Sequence, residues 1–315
     1  MPIEHLYELD SDDYSQSANT LFNFMKEPQY LDDILIKKAI IPRYCLEDVA
    51  YLHITNNGIP FNEILVLQKC FCDIPFHKLT EKLHLKGIGE NFQNLSPQEQ
   101  DFVSQNNTHP DFYGQYGIAF PKSWSEKNNL QPIHYLNESS QYTLDFANLL
   151  QQIMLPNDLP DICSEDIISR LAYIKPLRGK MTRRIKCQDD KIREIDFLKN
   201  FHDEKEWRYV PDPQSLSETH KDAIIANPNY IKISTKPNSD FNKELTKPSC
   251  SKLWLKYDYE DIRYLIVPNF EARQNLINTI LALPSENFPA DSDISMQKYI
   301  LISKILVLNE IRKDW

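Results

Sequence analysis

The sequence predicts an α+β fold, and three observations carry the prediction. Residues 20–44 read as strand, helix, strand. The apolar run Ile64–Cys72 and the aromatic run Glu206–Val210 have the β-branched and aromatic character of strands. Late in the chain, Asp261–Val267 reads as a strand that feeds a helix over Glu271–Leu283.

Each element has its own reason. Thr20–Met25 is a short apolar strand, and Pro28, suited to a first helical turn, opens a helix to Lys38 with Leu31, Ile34 and Leu35 on one face. Ala39–Tyr44 is extended, Leu46–His53 reads as one or two helical turns, and Gly58 and Pro60 mark a loop before Ile64–Cys72. Residues 78–112, rich in Asn and Gln, form a polar excursion with a helix near Ser96–Ser104. Tyr116–Phe120 and Ile133–Leu136 are strands around a turn region at Lys122–Asn128, and Ser140–Met154 is a helix. Met296–Ile311 reads as one helix with more apolar surface than a single stripe, as packing between two elements or against a partner requires. The domain plan is an acidic N-terminal extension at 1–18, one α+β domain over 19–285, and an apolar C-terminal helix within 286–315.

With 315 residues, 41% of them hydrophobic, the chain can bury a full core. Its formal charge of -10 and pI near 5.3 oppose indiscriminate binding to nucleic acid or anionic membranes, leaving only a local basic patch for such a task. That patch is Lys175, Arg178, Lys180, Arg183, Arg184 and Lys186, a run with no acid in it, which reads either as a phosphate-tracking surface or as a solvated loop. The cysteines at 45, 70, 72, 163, 187 and 250 lack zinc-ligand spacing and read as reduced thiols of a cytoplasmic protein. Neither a signal peptide nor an apolar run of membrane-spanning length is visible. P-loop, GxGxxG, GxSxG and HExxH patterns are all missing.

Two constellations are candidates for chemistry. On a strand, residues two apart face the same way, so Glu204 and Glu206 would share a face beside Trp207, where burial would raise at least one pKa. The alternative is an edge strand with a solvated Glu face. In Tyr113-Gly114-Gln115-Tyr116-Gly117, two of only six glycines allow close backbone approach, and two tyrosines offer faces on which a planar ring could stack. The alternative there is a loop entering a strand, with tyrosines packed in the core.

The ordered set Ile41-Pro42-Arg43-Tyr44-Cys45-Leu46-Glu47-Asp48, Cys70-Phe71-Cys72-Asp73-Ile74-Pro75, Tyr113-Gly114-Gln115-Tyr116-Gly117-Ile118-Ala119-Phe120-Pro121-Lys122-Ser123-Trp124, Gln131-Pro132-Ile133 and Glu204-Lys205-Glu206-Trp207-Arg208-Tyr209-Val210-Pro211 resembles the AbiGi family of bacterial abortive-infection proteins. The resemblance implies a role in phage defence within a toxin-antitoxin-like operon. A more distant resemblance is to ADP-ribosyltransferases of the DNA-modifying toxin and RNA 2'-phosphotransferase type. It implies a split mixed or antiparallel sheet with flanking helices, NAD as substrate, and transfer of ADP-ribose to RNA, DNA or a protein. Under it Asn23 stands where a nucleotide-binding His is expected, Arg43 is the basic residue, Tyr113 or Tyr116 is the ring platform, and Glu206 is the catalytic acid with Glu204 assisting. A carboxylate in that role would stabilise the oxocarbenium charge that develops as the glycosidic bond of NAD breaks. The alternative reading is a non-catalytic antitoxin that meets a cognate partner protein through the C-terminal helix.

Overall fold

The computed structural model describes residues 18–56, 58–83, 85–105, 107–154, 167–186, 192–226 and 239–314. The expected acidic extension therefore lies, apart from Ala18, outside the described residues.

Pro28 stands in the first turn of helix α1 (Pro28–Lys37), and Lys38 ends it in the left-handed conformation at φ 47° with its N–H on the carbonyls of Ile34 and Leu35. Leu31, Ile34 and Leu35 recur at helical spacing, and all three are buried in a core shared with Leu21, Phe120 and Leu265 and with Leu276 and Ile280 of helix α2 (Phe270–Leu281). Full burial of a leucine such as Leu35 stabilises the fold by about 1.5–3 kcal/mol. Phe22, Ala119, Ile266 and Leu308 form a second cluster, so successive residues of one strand serve different cores.

The main sheet has nine strands: β1 (Thr20–Met25), β2 (Arg43–Asp48), β3 (Glu63–Cys72), β4 (Tyr116–Pro121), β5 (Gln131–Pro132), β6 (Glu206–Tyr209), β7 (Ile224–Ile225), β8 (Tyr264–Val267) and β9 (Ile305–Val307). Its spatial order is β9-β8-β4-β1-β3-β6-β5, with β2 and β7 also paired to β3. All pairings are antiparallel except β8 with β9. This is a mixed sheet with flanking helices, as an α+β reading requires.

Strand β3 is the hinge of the architecture. Its residues Glu63–Gln68 pair with β2, while β1 meets it only at Phe22 opposite Cys72. Between these two partners, Lys69 to Phe71 lie where β1 and β2 part. Lys69–Cys72 are held by β6, and Leu65 and Val66 by β7. The sheet thus opens into a cleft whose floor is the middle of its longest strand.

Three sequence expectations are corrected here. Leu46–His53 is not a helical segment: Leu46–Asp48 complete β2, and only Ala50–Leu52 form a 3-10 turn. The pairing of β2 with an apolar central strand overrides the weak local helical signal. Met296–Ile311 is not one helix: helix α3 (Ile294–Ser303) ends, Ile305–Val307 cross as β9, and helix α4 (Leu308–Asp314) follows. Apolar character on more than one face is explained by this change, because a parallel strand beside Leu265–Val267 is covered on both sides. The basic run is not a loop: Arg178–Lys186 pairs along its whole length with Ile192–Asn200, and that strand pairs in turn with Lys86–Ile88 from the polar excursion.

Candidate functional site

A cavity of about 550 Å³ occupies the split of the sheet. It is lined by Asn23, Arg43, Tyr113, Glu204 and Glu206, five of the six residues singled out from the sequence. The sixth, Tyr116, is not among the lining residues; it lies half-buried against the α1 side of the main core, near Glu27, Asp32 and Glu271. Of these two tyrosines, Tyr113 is therefore the one that reaches the cleft.

The two glutamates converge by a route different from strand alternation. Glu204 ends a 3-10 turn over Phe201–Glu204, Lys205 turns the chain at φ 43°, and Glu206 begins β6. Each is only 5% exposed, which excludes a solvated Glu face. Lys175 Nζ donates to Glu204 Oε2 at 3.2 Å and to Glu206 Oε2 at 2.9 Å. Lys199 donates to Glu204 Oε1 and, at 2.8 Å, to the Tyr113 hydroxyl, which itself donates to the same Glu204 oxygen. Arg208, completely buried, donates from Nε to Glu206 Oε1 at 2.7 Å, from Nη1 to the carbonyl of Ala172 at 2.7 Å, and lies 3.0 Å from Glu47 Oε1. Gln68 Nε2 adds a 2.6 Å bond to that Glu47 oxygen.

The result is a closed set of three carboxylates (Glu47, Glu204, Glu206) and three cations (Lys175, Lys199, Arg208). The expectation that burial would raise at least one pKa of the pair is overturned: desolvation does push both acids upward, but the cations win. Glu204 is brought down to about 2 by Lys175 and Lys199, and Glu206 falls further below its usual range through Arg208 and Lys175. Against the cost of its own burial, Lys175 is held well above the usual lysine value by Glu204, Glu206 and Glu47. Lys199 is lowered, because desolvation outweighs its contact with Glu204. From the sequence none of the three cations is placed beside the acids, although Lys175 stands in the basic run. Arg208 had a signal, since it stands two residues after Glu206 on the same strand and so faces the same way.

Asn23 has a backbone task. Its Nδ2 donates to the Cys70 carbonyl at 2.7 Å, bridging β1 and β3 where their ladder has ended, and its Oδ1 is buried without a hydrogen-bond partner. An imidazole lines the same cavity from another element. His109 opens the short helix His109–Tyr113, fixed by a capping box between Thr108 and Asp111, and its ring lies 4.5 Å from that of Tyr113 and 5.4 Å from that of Phe24. Burial and the nearby Lys199 push its pKa down to about 3, so it is a neutral ring at physiological pH.

Gly114 and Gly117 allow the chain to pack closely against β1. Gly114 adopts φ 132°, and a Cβ there would stand 2.0 Å from the Met25 carbonyl oxygen. At Gly117 the same atom would press on Phe24 at 3.1 Å. The basic strand is likewise committed: Lys180 pairs with Asp196 at 2.8 Å, Arg184 with Glu194 at 2.9 Å, and Arg183 lies over the Phe112 ring. The acids come from the partner strand, so Lys180 and Arg184 of the run are already paired. No cluster of metal-ligating side chains occurs among the described residues, and none of the described helices is long and apolar enough to cross a membrane.

Residues 102–268 match the family model described as "Putative abortive phage resistance protein AbiGi, antitoxin". An abortive phage resistance protein AbiGi of Lactococcus lactis subsp. cremoris is 30% identical over 290 residues, covering 88% of this chain and 100% of the relative. No solved structure matches.

Proposed function

Because the chain belongs to the AbiGi family of abortive phage resistance proteins, we propose that it acts in phage defence as the antitoxin of its operon, restraining a partner toxin by direct contact. The supporting observation is the internal neutralisation of the acid pair. A carboxylate that stabilises an oxocarbenium ion must offer its charge to the sugar as the bond breaks. Both Glu206 oxygens are instead committed to Arg208 and Lys175, and Glu204 is held by Lys175, Lys199 and Tyr113. Contact with a partner falls to the C-terminal region, where Met296, Tyr299 and Ile300 of α3 are exposed. Expression alone should leave growth unchanged, and co-expression with the neighbouring gene should relieve that gene's toxicity. Growth arrest by this chain alone, with no relief in the pair, would overturn the reading.

A second reading is an ADP-ribosyltransferase-like fold that transfers ADP-ribose from NAD to a nucleic acid or a protein. What favours it is the meeting of Asn23, Arg43, Tyr113, Glu204 and Glu206 in one cleft of nucleotide-compatible size, with His109 beside Tyr113. NAD fits there only if its ribose displaces Lys175 or Arg208 from Glu206. Under this reading the chain incubated with labelled NAD and total RNA, DNA or lysate transfers label, and Glu206→Gln abolishes transfer. Absence of both label transfer and nicotinamide release removes it.

A further inference from the structure

The charges in the cleft do not balance everywhere. Three acids and three cations close on one another along the β6 wall, yet Arg43 and Lys69, both lining the same cavity, pair with no carboxylate among the described residues. Arg43 lies opposite Gln68, the residue before Lys69, so adjacency along the ladder, and not a shared face of the sheet, brings the two charges within reach of one another in the cavity that both line. The Arg43 guanidinium stacks over the Tyr30 ring at 4.7 Å, so an aromatic face holds it in place and leaves its N–H groups to other acceptors. Lys69 is surrounded by Arg43, Cys45 and Cys70, none of which carries negative charge as a neutral thiol or a guanidinium. At the cavity mouth Asp33 is taken by Lys37 at 3.2 Å, and the neighbouring Lys26 and Glu27, which also line the cavity, offset one another in charge.

We propose that Arg43 and Lys69 form an anion-binding site on the cleft floor, occupied by the phosphoryl or pyrophosphoryl group of a nucleotide-sized ligand. A guanidinium beside a lysine ammonium offers several donors to phosphate oxygens, and two like charges side by side in a poorly solvated cleft repel one another until an anion arrives. The open segment of β3 and the 550 Å³ of space leave room for the remainder of a nucleotide. The vacant state carries a visible cost: burial first, and Arg43 second, pull Lys69 down to about 8. A bound anion reverses that shift, so binding takes up a proton whenever Lys69 is neutral beforehand. Affinity is therefore full below about pH 8 and declines as pH rises above it. The site serves either reading of the protein's role and depends on neither.

The test is calorimetric titration of the full chain in a phosphate-free buffer with inorganic pyrophosphate, ADP and adenosine. Pyrophosphate and ADP are expected to bind and adenosine not to. Lys69→Met and Arg43→Gln should each weaken ADP by about tenfold or more, while Lys69→Arg, which keeps the charge, retains binding and reports that the fold is intact. Wild-type affinity for ADP should fall about eightfold between about pH 7.5 and about pH 9, and the Lys69→Arg variant should lose that dependence. Absence of binding by wild type, or equal binding by Lys69→Met and wild type, overturns the proposal. Toxin neutralisation measured in the same variants separates the two ideas: neutralisation without anion binding removes only this site, and anion binding without neutralisation removes only the antitoxin role.

Discussion

Two sets of ion pairs, built from similar residues, behave differently because of where they sit. Along the β6 wall, Arg208, Lys175 and Lys199 meet Glu47, Glu204 and Glu206 with side chains at most 17% exposed. On the Arg178–Lys186 strand, Lys180 and Arg184 meet Asp196 and Glu194 with side chains that remain largely in water. The first set is insulated from solvent and depends on every member, since removal of one leaves a buried charge uncompensated. The second is screened, and each pair contributes little. Net charge is equal within each pairing. Burial decides what that equality is worth.

The largest effect should come from Arg208→Met, which removes one of the two cations on Glu206 and leaves Glu47 with only the Gln68 amide. A loss of about 3–5 kcal/mol is expected in urea unfolding, and a loss near zero would show that the network relaxes or admits water. Acid should act next. Glu204 and Glu206 have depressed pKa values in the folded state, so their stabilising share is present above the ordinary glutamate value of about 4.5 and is lost as pH falls towards about 2. Thermal melts between those limits should decline steeply, and Glu204→Gln should flatten the decline at the expense of neutral-pH stability. Gly114→Ala tests backbone packing without charge. The added methyl meets the Met25 carbonyl, and a loss of about 1–3 kcal/mol is expected by denaturant melting. The smallest effect belongs to Lys180→Gln with Arg184→Gln, which should change stability by less than about 1 kcal/mol; a loss as large as that of Arg208→Met would erase the distinction between the two sets.

Local periodicity made much of this fold readable. Thr20–Met25, the helix from Pro28, the central strand ending at Cys72 and the late strand before Val267 all fall where the sequence places them. What it missed is non-local. The Leu46 segment becomes strand because β3 pairs with it, and Ile305–Val307 becomes strand because β8 offers a parallel edge. At the site, strand order delivers Asn23, Arg43 and Glu206 to one cleft, but Lys175 joins Glu204 from 29 residues away, and His109 arrives on a separate helix next to Tyr113. Such partners have no signature in spacing. The acid pair was legible as residues but not as chemistry, because the sign of its pKa shift depends on cations that only the fold assembles.

The parallel pairing of β9 with β8 has a consequence for assembly. A parallel neighbour cannot be reached by a tight turn, so the chain passes through a helix over Phe270–Leu281 and then α3 before Ile305 returns beside Leu265. Until those residues have been synthesised and carried back, the rim at Tyr264–Val267 is an unzipped template open to any extended peptide. A protease cut or premature stop before Ile305 would expose the same rim permanently and turn a well-closed subunit into a nucleus for aggregation.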